Sequence, residues 1–231
     1  MTADPVILII GAGPRVGASV AQTFASNGYK VAVASRKGRG GRTAEGFLSL
    51  KADLANPSSI STLFETVKTE FKSYPSVVVY NAAATTPPPD KESVLSVSDQ
   101  SVTNDLIVNT VSPYVAAQLA IKGWEASPNE TKKTFIYTGN IQNVAVVPVP
   151  MMLDLGMGKA ASAYWIGTAD ATYSTKGYRF FYADERQYDG KMKGMALDGA
   201  AHGEFFALLA KQEVKVPWCA TFVKGKGYVK F

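Results

Sequence analysis

At 231 residues, 46% hydrophobic and 19% charged, the chain has the composition of an ordinary folded domain and the length to bury a sizeable core. The formal charge of +5 is scattered, apart from the group Arg36, Lys37, Arg39 and Arg42, so no nucleic-acid surface is expected. Residues 1–5 lack the basic region of a secretion signal, Val6–Ile10 is too short to cross a bilayer, and the single Cys219 excludes an internal disulfide, which together predict a cytoplasmic protein with no membrane partner.

Val6–Ile10 is a continuous apolar run, the pattern of a strand buried on both faces. A glycine-rich turn follows, then a helix over residues 15–27 with Val16, Val20 and Phe24 on one face and Gly28 at its carboxyl end. Residues 31–35 form a second strand, 36–46 a loop, and 47–52 a third strand. Pro57 opens a helix carried by Ile60, Leu63, Phe64, Val67 and Phe71, and residues 77–80 form the fourth strand. After a proline-rich loop, a helix over 98–121 is expected to be interrupted by Pro113, which lacks an N–H. Residues 134–138 read as a fifth strand, 139–153 as a loop beside the site, 155–175 as a helix, 178–183 as a strand, Gly199–Lys211 as a helix and 221–223 as a last strand. Strands alternating with helices predict one doubly wound α/β domain of Rossmann type over residues 1–231, a parallel sheet with helices on both faces. Its substrate or lid region is expected at about 184–205, with Tyr182, Tyr188, Met192 and Met195 suggesting a partly apolar lid.

Gly11, Gly13 and Gly17 lie between the first strand and the first helix. Glycines there let the backbone approach a pyrophosphate closely, and the helix start offers free N–H donors to it. At the tip of the second strand an acidic residue would accept from both ribose hydroxyls of NAD(H). Ser35 and Arg36 stand there instead and suit a 2′-phosphate, with Arg15 approaching from the turn, so NADP(H) is expected and NAD(H) less so.

These positions resemble the short-chain dehydrogenase/reductase family over almost the whole chain. Gly11 and Gly17 match the ends of its G-x-x-x-G-x-G turn, with Arg15 replacing the middle glycine and Val16 between Arg15 and Gly17. Asp53 and Leu54 resemble the pair that holds the adenine, and Asn81, Ala82 and Ala83 resemble the N-A-G segment behind the cofactor. Asn109 resembles the family's mid-helix asparagine, and Lys159 the lysine of its Y-x-x-x-K signature, which the resemblance implies binds the nicotinamide ribose. The tyrosine position is Leu155, which carries no transferable proton, and the expected serine near Gly139 is missing. Asp154, Tyr137, Thr138, Asn140, Gln142, Asn143 and Tyr164 are polar residues that could reach the gap, and Asp154 joins Lys159 and Asn109 as a catalytic candidate. The resemblance also implies a small-molecule substrate and a homodimer or homotetramer paired through two long helices.

Two functions stay open at this point. One is an atypical NADP(H)-dependent oxidoreductase acting on a small carbonyl, imine or activated alkene, in which the cofactor carries the hard chemistry. The other is a non-redox protein that binds the dinucleotide as a regulator or as a structural wall. An interaction module without cofactor is a third, weaker reading.

Overall fold

The computed structural model describes residues 4–127 and 132–231, so the first three residues of the amino-terminal segment read above lie outside the described residues. Eight strands form one sheet in the order β3-β2-β1-β4-β5-β6-β7-β8: β1 Val6–Ile10, β2 Lys30–Ser35, β3 Leu48–Lys51, β4 Val77–Tyr80, β5 Lys133–Thr138, β6 Tyr178–Glu185, β7 Cys219–Val223 and β8 Gly227–Tyr228. Strands β1 to β7 run parallel, and β8 turns back antiparallel on β7. The order reverses between β1 and β4, and in sheets of this kind ligands bind at that point, outside the carboxyl ends of the strands.

The helices are α1 Val16–Ser26, α2 Ser59–Phe71, α3 Asp99–Leu106, α4 Ser112–Ala126, α5 Leu153–Tyr173 and α6 Gly199–Lys211. One core layer joins the sheet to α2, α4 and α5 through Phe64, Trp124, Tyr137 and Ile166; the other joins it to α1 and α6 through Val20, Phe24, Phe206 and Phe222. Every residue of β1 is buried because both faces of the strand are covered. The expected single doubly wound α/β domain is therefore what the chain forms.

Several elements differ from the sequence reading; α5 and β7, for example, each begin two residues earlier than expected. Pro113 does not interrupt its helix: a π-helical turn, Ile107–Val111, links α3 to α4 and supplies the register in which a proline without an N–H fits, so the helix continues to Ala126. β6 runs two residues further than expected, through Asp184 and Glu185, because both carboxylates have buried partners in place of water. Strand β8 was not anticipated; two residues carry no pattern of their own, and its place is set by pairing with β7. None of the helices is long and apolar enough to cross a membrane among the described residues.

Candidate active site

The turn after β1 is bound to both neighbouring strands. Gly11 N and Ala12 N donate to Ala34 O of β2 at 2.9 and 3.0 Å, and Asn81 Nδ2, just past β4, donates to Gly11 O at 2.9 Å. Gly11 has φ of +93°, and a Cβ on it would stand 2.4 Å from Ala82 N, so only glycine fits. A Cβ on Gly17 would meet Ala12 Cα at 2.6 Å, whereas one on Gly13 would meet nothing within 4 Å. Ala18 is the first residue of α1 whose N–H returns to a backbone carbonyl, that of Gly13, so the N–H groups of Val16 and Gly17 at the helix start have no backbone acceptor among the described residues. Arg15, exposed at the helix cap, donates from Nη1 to Met195 O at 2.6 Å and so ties the turn to the loop before α6.

Ser35 ends β2 half-buried, and its carbonyl accepts from Gly38 and Ala52. Arg36 and Lys37 are exposed and make no ion pair or side-chain hydrogen bond among the described residues. Arg42, by contrast, is engaged by Glu70 at 3.8 Å and lies over the Phe71 ring. Asp53 is exposed and caps its own turn, with Oδ1 accepting from Ala55 N; Leu54 is buried and its carbonyl accepts from Ser112 Oγ at 2.7 Å.

Across the strand-order reversal, Asn109 lies fully buried in the π-helical turn. Its Oδ1 accepts from Ala84 N at 2.9 Å and its Nδ2 donates to Ala84 O at 2.7 Å, which clamps the loop carrying Ala82 and Ala83. The Asn109 carbonyl in turn accepts from Tyr137 Oη at 2.9 Å and Ser162 Oγ at 2.8 Å. Helix α5 comes close enough here that a Cβ on Gly158 would stand 2.4 Å from Asn109 Cβ. One residue further, Lys159 turns inward: Nζ donates to Thr138 O at 2.7 Å and lies 4.4 Å from the centroid of the Tyr137 ring. Burial lowers its pKa to about 7, against the opposing pull of Asp184. Asp184 is itself buried, ion-paired with Arg186, and raised to about 6 by desolvation.

Leu155 is in the first turn of α5, four residues before Lys159. Its neighbour Asp154 is buried and accepts from Thr85 Oγ1 and Thr86 N, both at 2.9 Å, and from Leu155 N at 2.7 Å. Against it stands Asp105 of α3, a residue the sequence reading missed. Burial and the Asp154 carboxylate raise the Asp105 pKa to about 6 while Asp154 is held low, so the pair shares one proton below that pH. The signal available in the sequence was helical spacing: Asp105 lies one turn before Asn109 and Asp154 one turn before Gly158, so the Asn109–Gly158 contact brings the two carboxyls together.

At the end of β5, a Cβ on Gly139 would stand 2.2 Å from Tyr182 Cε1, and the Tyr182 hydroxyl donates to Asn140 O at 2.8 Å and accepts from Asn140 N. The tyrosine ring thus occupies the space of any side chain at 139. Asn140 Nδ2 donates to Gln142 Oε1, and Gln142 Nε2 donates to Met152 O, both at 2.8 Å, which shapes the loop before α5. In the 186–198 segment Tyr188 and Met195 are exposed, whereas Tyr182, read as a lid residue from sequence, is core. Glu185 anchors the segment through Asp198 N at 2.8 Å and Lys193 Nζ at 3.1 Å. His202 is buried, with Nδ1 2.7 Å from Asp198 O, so it serves the start of α6.

Residues 5–145 match the family model described as short chain dehydrogenase. The short chain dehydrogenase/reductase dmxR12 of Cryptosporiopsis sp. (strain 8999) is 40% identical over 238 residues, covering 99% of this chain and 95% of the relative. The chain belongs to the short-chain dehydrogenase/reductase family. Among solved structures, a 3-oxoacyl-[acyl-carrier protein] reductase from Brucella melitensis in complex with NAD shares the fold at a TM-score of 0.76 and 16% identity over 92% of both chains. A metagenomic short-chain oxidoreductase in complex with NADP does so at 0.75 and 16%, over 95% of this chain and 96% of that one. The family binds nicotinamide dinucleotides, and these two neighbours hold one of each kind.

Proposed function

We propose that the protein is an NADP(H)-dependent oxidoreductase of a small carbonyl, imine or activated alkene, working without the family's tyrosine. The observation that carries the cofactor half of this reading is the turn after β1: Gly11 is pressed onto Ala82, Gly13 opens on free space, and Val16 and Gly17 present N–H groups with no backbone acceptor. Such a cradle fits a pyrophosphate. Ser35 and the exposed Arg36 stand at the tip of β2 and fit a 2′-phosphate, Asp53 and Leu54 would flank the adenine, and Asn81, Ala82 and Ala83 would back the dinucleotide. Lys159 would face the nicotinamide ribose, with Asn109 holding the loop beneath it. The reduced nicotinamide supplies hydride; the chain positions the substrate and manages the proton. Pairing of two copies through α4 and α5 belongs to the same proposal, supported by exposed Tyr114, Met157 and Tyr164 on those helices.

Leu155 favours the second reading, a protein that binds NADP(H) and transfers nothing. Following NADPH absorbance across a panel of ketones, aldehydes, imines and enones separates the two. Turnover with any of them supports the oxidoreductase; binding of NADPH with no turnover across the panel moves the assignment to the non-redox reading.

A further inference from the structure

The oxidoreductase reading needs a group that gives and takes a proton, and Leu155 cannot. At the end of β5, Thr138 Oγ1 has no hydrogen-bond partner among the described residues, but an aliphatic hydroxyl ionises too weakly to give and recover a proton near neutral pH, and the Asp105 proton is shared with Asp154. Asp154 spends its oxygens on Thr85, Thr86 and Leu155. The Tyr137 hydroxyl is buried on Asn109 O, and the Tyr182 hydroxyl donates to Asn140 O. Asn140 and Gln142 are amides, committed to each other and to Met152. Lys159 is different. Its ammonium has three N–H bonds and, among the described residues, one hydrogen-bond acceptor, Thr138 O at 2.7 Å, while one of its flanks lies on the Tyr137 ring.

We propose that Lys159 Nζ is itself the proton donor and acceptor of this site, and that Asp184 is the positioning residue that sets its charge. The inference rests on the oxidoreductase reading. Around the ammonium, β5 contributes the Tyr137 ring and β6 contributes Asp184, whose own neighbours are Arg186 and Glu185. Cys219 of β7 stands near Asp184, and the π-helical turn brings only the uncharged Asn109. Asp184 is thus the charge that favours the ammonium, against burial that favours the amine. A lysine brought to about 7 is half protonated near neutral pH, the condition in which one group can both give and recover a proton.

The step balances as follows. In the reducing direction, a reduced nicotinamide would give up hydride from its ring C–H bond and become the oxidised form, and as the new C–H bond forms at the carbonyl carbon the π pair of the C=O bond moves to oxygen. That oxygen takes a proton from Lys159 Nζ, leaving a neutral amine, and the amine regains a proton from water. Oxidation of the alcohol runs the same path backwards.

The test has one readout without cofactor and one with it. In the cofactor-free protein carrying 13C-labelled lysine, the Cε resonance that disappears in Lys159→Arg is followed by NMR over about pH 5 to 11. It is expected to titrate near 7, well below the other lysines, and to move lower still in Asp184→Asn. Should that variant fail to fold with Arg186 left unpaired, Asp184→Asn with Arg186→Gln removes both charges and is expected to move it the same way. Titration together with the other lysines, or a midpoint indifferent to Asp184, overturns the proposal. With saturating NADPH and a carbonyl substrate, Lys159→Arg keeps a positive charge but cannot release a proton, so kcat is expected to fall about 100-fold or more. An active wild type matched by Lys159→Arg overturns the donor role alone. A wild type that binds NADPH and reduces nothing overturns the oxidoreductase reading and the donor role together.

Discussion

Replacing Lys159 by methionine should stabilise the protein, and by an amount that depends on pH. The side chain is 5% exposed, and its pKa drops from 10.5 to about 7 on folding. At about 1.4 kcal/mol per pH unit, charging it in the folded state costs about 5 kcal/mol once the pH is below both values. Methionine has a similar reach and no charge, and it leaves Thr138 O without a donor, which returns about 1 kcal/mol. The variant is therefore expected to exceed the wild type by about 3 to 4 kcal/mol near pH 6. The sign with pH follows from proton counting. Between about 7 and 10.5 the unfolded wild type binds more protons than the folded one, so wild-type stability rises with pH through that window and the advantage of the variant shrinks, by about 2 to 3 kcal/mol at pH 9. Urea unfolding of both proteins at the two pH values measures this difference. Parallel stability curves, or a less stable variant at both pH values, would refute the account of Lys159 as a buried, reluctantly charged group.

Other expectations follow from neighbouring contacts. Gly11→Ala forces a methyl group to within 2.4 Å of Ala82 N at a positive φ, and is expected to cost about 1 to 3 kcal/mol in thermal unfolding and to abolish NADPH binding. Asp105→Asn gives the carboxyl pair a permanent hydrogen. Wild-type stability should decline as pH rises from about 4 to 6, because the folded Asp105 holds its proton longer than the unfolded one, and a melting-temperature profile of the variant should lack that decline. Arg15→Ala removes the bond to Met195 O; global stability should change by less than about 1 kcal/mol while amide exchange quickens at residues 194–197.

Much of the fold could be read in the sequence wherever local pattern and final environment agree. The apolar run of β1 declares a strand covered on both faces, and Gly199–Lys211 is bounded by Asp198, whose side chain accepts from Ala201 N as a helix cap. The departures arise where distant residues decide. Asp184 and Glu185 look like loop residues until Arg186, Lys193 and His202 are placed around them. Pro113 looks like a helix breaker until the wider π-helical turn before it is known. In the site, the glycine turn was legible because Gly11 and Gly17 answer local steric demands, whereas Gly13 meets nothing. Asp105 was not, since its importance comes from facing Asp154 across two helices, and nothing in the sequence declared that the space beside Gly139 belongs to the Tyr182 ring.

The central claim is that the crevice beside β1 and β2 holds NADP(H). Titrating the protein with NADPH and with NADH by calorimetry, alongside Arg36→Glu, tests it most directly. The account predicts that NADPH binds at least about tenfold tighter than NADH, as expected for a charge-assisted contact to a 2′-phosphate, and that Arg36→Glu erases this preference while leaving NADH binding little changed. Equal affinity for both cofactors, a preference that survives Arg36→Glu, or no heat with either, would contradict it.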